Sequence, residues 1–187
     1  ARVRTMRQRD DWRLIAADVR AKFLRFEASL VLAIERAVPK ARELAHEAAL
    51  LDPAANAEVL NGLIAYHEGG AKKALPLLAS PTTLDGWNLR LALVADSNDW
   101  PALIDEYSRI PQPLTPNAET RRLRAMAFVF SGRLADARAE IAAAIKDAPN
   151  WFSVRYAAAI VEYFTSLSPA VIPHAPKGWP APIDTTM

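Results

Sequence analysis

Four small or apolar residues recur along this chain at a nearly fixed interval. They are Ala41, Ala74, Leu103 and Ala137, and the steps between them are 33, 29 and 34. The prolines that close the first and last of these stretches, Pro53 and Pro149, are separated by the same total. A period of this size is the mark of a stacked array in which each unit buries its apolar face on its neighbours. One unit is shorter than the others, and the shortening falls between Ser80 and Leu84. The pattern is clearest in LRAMAFVFSGRLADARAEIAAAIKDAP, Leu123 to Pro149. Leu123, Ala127 and Phe130 share one helical face. Gly132 stands where a helix needs a left-handed residue to end. Leu134, Ala137, Ile141, Ala144 and Ile145 give a second apolar face, and Pro149 stops it. The stretch predicts two antiparallel helices joined by a tight turn, with Ala137 and Ala144 letting the backbones come close.

The rest of the chain reads as helices of the same kind, so the predicted class is all-α. A long first helix is expected from Asp11, capped by Asp10 or Asp11. Trp12, Ala16, Val19, Phe23, Phe26, Leu30, Ala33 and Ala37 form a heptad-like seam. Such a seam suits a coiled coil or, as we prefer, a helix lying along its neighbours. Pro39 ends this helix or opens the next, which buries Ala41, Leu44, Ala45 and Ala48. Further helices are expected from Glu58 to His67, from Ala71 with a kink at Pro76, from Leu84 to Asp96, and from Trp100 to Ile110. Gly69-Gly70 and Ser97-Asn98 are the turns. Thr115 and Pro116 predict the start of the next helix, and Glu119 suits its positive end. The last helix, about 151–167, presents Phe152, Tyr156, Ala159, Ile160, Tyr163 and Phe164 as its apolar face. Five prolines among residues 168–187 predict an extended tail. The expected organisation is a basic arm and helix start at 1–21, a helical repeat domain at 22–167, and the tail. Residue 1 is not Met, which suggests a piece of something longer.

Composition removes several classes of chemistry. There is no cysteine, hence no disulfide, thiolate metal site or Cys nucleophile. No apolar run is long enough to cross a bilayer as a helix. The expected compartment is the cytoplasm. Net charge is +2, yet residues 1–25 carry eight basic and three acidic side chains, which leaves the remainder acidic. That arm suits nucleic acid, a membrane or an acidic protein face, or is a solvated helix start. No phosphate-binding loop, dinucleotide fingerprint, zinc-protease motif or nucleophile elbow occurs. His46, His67 and His174 have no metal-site spacing and read as helix-end or surface residues. Asp10-Asp11, Asp96 with Asp99, and Asp105-Glu106 read as solvated carboxylates. No enzyme activity, cofactor or metal is therefore expected. Trp12, Trp87, Trp100 and Trp151 read as packing residues. Trp179 reads as a docking aromatic of the tail. Arg121, Arg122 and Arg124 spread round one helix and cannot all face one ligand, Arg122 being the one expected in the groove, while Arg138 reads as solvated.

On Gly132, Ala137, Ile141, Ala144 and Pro149, the chain resembles the tetratricopeptide repeat family. The same resemblance is carried by Gly62, Tyr66, Gly69, Ala74 and Leu78, and by Trp87, Trp100, Leu103 and Tyr107. It covers roughly residues 22–165. Leu103 in place of alanine and Pro76 inside a helix depart from the pattern. The resemblance implies a right-handed superhelical stack of helix pairs with a concave groove lined by the first helix of each pair. Carried over by alignment, the groove residues are Asn56, Val59, Leu63, Tyr66, Asn88, Arg122, Met126 and Tyr156. The implied function is a scaffold that binds a peptide or protein segment, with self-association a further possibility. The other readings are a regulatory or sensing segment of a larger multidomain enzyme and, less favoured, nucleic-acid binding through the basic arm.

Overall fold

The computed structural model describes residues 10–167. The expectations placed on the basic arm at Arg2, Arg4, Arg7 and Arg9, and on the tail with His174 and Trp179, lie outside them. Helical structure takes 78% of the described residues, among which there is no strand. The chain forms two compact units that part between Ala79 and Ser80. That boundary falls where the repeat spacing shortens.

The first unit begins with a 3-10 turn, Asp10–Leu14. Helix α1 (Ala17–Leu30) runs on into a π turn, Val31–Glu35. Helix α2 (Val38–Leu51) follows, with Pro39 in its first turn. Helix α3 (Glu58–Ala74) ends in a 3-10 turn, Leu75–Leu78, that contains Pro76. The single long helix expected from Asp11 is corrected here. Ala16 is extended at φ −52°, ψ 143° and no side chain caps α1. Asp10 and Asp11 belong to the preceding 3-10 turn, which ends before Ile15 and Ala16.

The expected seam is corrected as well. Ala21, Leu24, Ala28, Val31 and Leu32 are buried, while Val19 and Phe26 are exposed. Small residues let α1 approach α2, whose Ala41, Leu44 and Ala48 are also buried. The rings flank this contact, Trp12 meeting Phe23 edge-on at 6.3 Å. Gly69 and Gly70 break α3 as expected, Gly70 at φ 69°.

The second unit holds α4 (Leu84–Asp96), α5 (Trp100–Ser108), α6 (Ala118–Phe130), α7 (Leu134–Asp147) and α8 (Phe152–Ser166). Helix α4 packs on α5 and α6, α5 on α6, α6 on α7 and α8, and α7 on α8. Trp100 lies on Phe130 at 4.7 Å, and Phe130 meets Phe164 at 6.2 Å. Leu91, Leu103, Val129, Ala137, Ala144, Val154 and Val161 fill the interior. Helix α6 starts later than Thr115-Pro116 suggested. Asn117 is the cap, its Oδ1 accepting from the N–H groups of Glu119 and Thr120 at 3.0 and 3.1 Å.

The end of α6 explains the glycine. With Gly132 at φ 74°, its N–H donates to Val129 O at 3.0 Å, and Arg133 N–H donates to Phe128 O at 2.8 Å. These two bonds close a Schellman cap and satisfy carbonyls the helix would otherwise leave open. The contact that usually joins the ends of such a cap is here a guanidinium on a ring, Arg133 over Phe128 at 4.4 Å.

Several of these features recur within the second unit at the interval that separates Leu103 from Ala137. Thr83 caps α4 by accepting from Gly86 N–H, as Asn117 caps α6. Asn98 at φ 56° answers Gly132. Leu103 and Ala137 are both fully buried. Arg90 binds Glu106, and Arg124 binds Glu140. In the first unit, Arg36 at φ 51° and Gly70 stand one such interval apart in the same conformation. The interval from Gly70 to Asn98 is shorter, and it spans the boundary between the units.

Candidate interaction surface

The two Arg–Glu pairs join each first helix of the second unit to its successor. Arg90 on α4 donates from Nε and Nη2 to Glu106 on α5, at 2.8 and 2.6 Å. Glu106 also accepts from Arg109 at 3.0 Å. The hydrogen bond from Arg90 is the main reason the Glu106 carboxyl is held below its ordinary range. The same bond raises Arg90 above its own ordinary value. One repeat later, Arg124 on α6 donates to Glu140 on α7 at 3.1 Å and lies over the Tyr107 ring at 4.1 Å. Burial, and then the Glu140 charge, raise the Tyr107 phenol. Arg121 completes the cluster with Glu140 at 3.8 Å and Asp147 at 3.2 Å.

None of these pairs was singled out in the sequence, where Arg124 counted only as one of three neighbouring arginines and Glu106 as a solvated acid. The signal was present: an arginine followed by a glutamate at the same spacing, twice, one repeat apart. Arg138, read as solvated, pairs across to Glu162 at 3.3 Å with both side chains exposed.

The eight residues assigned to the groove fall into two sets. Asn56, Val59, Leu63 and Tyr66 belong to the first unit, and Asn88, Arg122, Met126 and Tyr156 to the second. Asn56 is exposed and its Oδ1 accepts from Glu58 N–H at 2.8 Å. Val59 and Tyr66 are half-buried, and Tyr66 meets His67 edge-on at 5.9 Å. Tyr156 is 47% exposed. The other four lie inside. Leu63 and Met126 are core residues. Arg122 is 4% exposed and bidentate to Glu119 on its own helix, at 2.8 and 2.6 Å. It is buried and its donor fork is already occupied, so its place as an open ligand contact is corrected. Asn88 is 1% exposed, and neither its Nδ2 nor its Oδ1 has a hydrogen-bond partner among the described residues. The Trp87 Nε1 beside it in sequence is also buried without one there.

The aromatic residues depart from expectation at the last helix. Val154, Ala157 and Val161 form the buried stripe of α8, so the apolar face assigned there is corrected. Phe152 is 83% exposed, Tyr163 59% and the preceding Trp151 50%. Helix α8 carries two apolar stripes, and the slimmer one lets α6 and α7 come closest. Trp87 and Trp100 are buried as expected, and Trp12 is half-buried.

His46 is exposed, while burial and then the Arg36 charge hold the His67 imidazole below its ordinary value. Among the described residues, no group of three or more His, Asp or Glu side chains is placed to hold a metal ion. No described helix is long and apolar enough to cross a membrane. Compared with family models, curated proteins and solved structures, the chain matches none.

Proposed function

We propose that this chain is a tetratricopeptide-like scaffold, a stack of antiparallel helix pairs that binds an extended segment of another protein. The observation that carries the reading is the recurrence, one repeat apart, of cap, Arg–Glu pair, left-handed turn residue and buried small or apolar position. A unit repeated in this way stacks on its neighbours and offers an extended surface that needs no reactive group. Contacts in the second unit between each helix and the next, and between each first helix and the next first helix, favour the same arrangement.

The binding residues are Asn56, Val59 and Tyr66 of the first unit, which are exposed or half-buried. Tyrosines supply amphipathic area with few torsions to freeze.

The test is selection of displayed random peptides on the immobilised chain, followed by titration of the selected peptide. Tyr66→Ala and Val59→Ala are expected to weaken binding, and Arg138→Ala, a surface control, is not. Failure to select any peptide, or equal loss in the control, overturns the reading.

A further inference from the structure

Helix α8 turns one stripe to the interior and another outward. The outward stripe is Phe152, Arg155, Tyr156, Ala159, Glu162 and Tyr163, all exposed. Their spacing of three and four residues keeps them on one face over the length of the helix. Phe152 and Tyr156 stack at 6.0 Å with their planes 14° apart, which makes a flat aromatic step. The face that α8 turns outward is therefore aromatic.

We propose that the stripe is the contact by which two copies of this chain pair. The charge arrangement selects that occupant. Ala159 lies at the middle of the stripe, with Arg155 one helical turn before it and Glu162 one turn after. Two α8 helices laid antiparallel about a two-fold axis near Ala159 bring Arg155 of each copy beside Glu162 of the other. The same axis sets Tyr156 against Tyr163 of the other copy, twice. A two-fold contact needs one patch that complements itself, and opposite charges placed evenly about its centre supply that. The small side chain at Ala159 lets the two backbones approach on the axis.

Arg155 is held at this face by donating its Nε to Pro149 O at 2.7 Å. Glu162 makes an exposed pair with Arg138, which costs little to exchange. The helix has 15 residues and is about 22 Å long, so the contact is at the small end of specific interfaces. The pairing is therefore reversible and concentration-dependent.

Sedimentation equilibrium of the full chain, across the micromolar range, tests this. The expected result is a monomer–dimer equilibrium. Arg155→Glu and Glu162→Arg are each expected to weaken it by roughly tenfold or more, since like charges then meet twice. The double variant restores the opposite pairs and is expected to recover the dimer. All positions changed are exposed, and circular dichroism confirms that each variant keeps its helix content. A chain that stays monomeric, single variants that dimerise as before, or a double variant that fails to recover each overturns the proposal.

Discussion

Replacing Gly132 by alanine isolates one term of the fold. Gly132 ends α6 at φ 74°, and a Cβ built there meets nothing within 4 Å. Packing therefore contributes nothing to the cost, and only the torsion does. A non-glycine residue in the left-handed region loses about 1–2 kcal/mol. The variant recovers about 0.4–1 kcal/mol because alanine has less freedom than glycine in the unfolded chain. The net destabilisation is about 0–1.6 kcal/mol. Asn98 holds the equivalent turn without glycine, so Gly132→Asn is expected to cost less than Gly132→Ala. Urea denaturation followed by circular dichroism reads the difference as a lower midpoint at unchanged slope. A loss of about 3 kcal/mol or more would show that the site is crowded, since torsion alone does not reach it. A gain of about 0.4–1 kcal/mol in the alanine variant would show that the chain does not turn left-handed there.

Three further outcomes rest on the same contacts. Asn117→Ala is expected to cost about 1 kcal/mol as a lost helix cap and Thr83→Ala somewhat less, because Asn117 serves two N–H groups and Thr83 one; equal midpoint shifts in urea would contradict the count. Ala137→Leu is expected to cost about 1–3 kcal/mol by overpacking, although the equivalent position is Leu103, because the second pair is built around the smaller side chain; an unchanged melting temperature would refute it. The Glu106 carboxyl is held below its unfolded value, so it adds stability above about pH 4.3 and loses it as pH falls through the folded value. Arg90→Met is therefore expected to flatten the acid side of the stability profile, and an unchanged profile would show that the pair does not couple to folding.

Most of the helices were legible because their apolar periodicity is local. Gly132, Ala137, Ile141 and Ala144 are read from one stretch, and the structure places them as expected. What failed was choice between neighbours of equal promise. Asn117, just beyond Thr115, takes the cap because its side-chain carbonyl reaches two N–H groups. Helix α8 has two apolar stripes, and periodicity does not say which one meets α7. Arg122 was assigned to an open groove, because its engagement by Glu119 depends on both side chains being buried together, which periodicity does not show. The pairs Arg90–Glu106 and Arg124–Glu140 were legible only by comparing one unit with the next. The break at Ile15-Ala16 has no sequence signal that we can name.

The central claim is that residues 83–113 and 117–147 are two copies of one helical unit. The chain has no cysteine, so spin labels go only where they are placed. One doubly labelled variant carries Thr82→Cys and Ser108→Cys, and the other carries Pro116→Cys and Ala142→Cys, each position one repeat from its counterpart. Double electron–electron resonance on the two variants is expected to give distance distributions with coincident centres. Centres that differ by more than about one helical turn, roughly 5.4 Å, would contradict the repeat and the scaffold reading built on it.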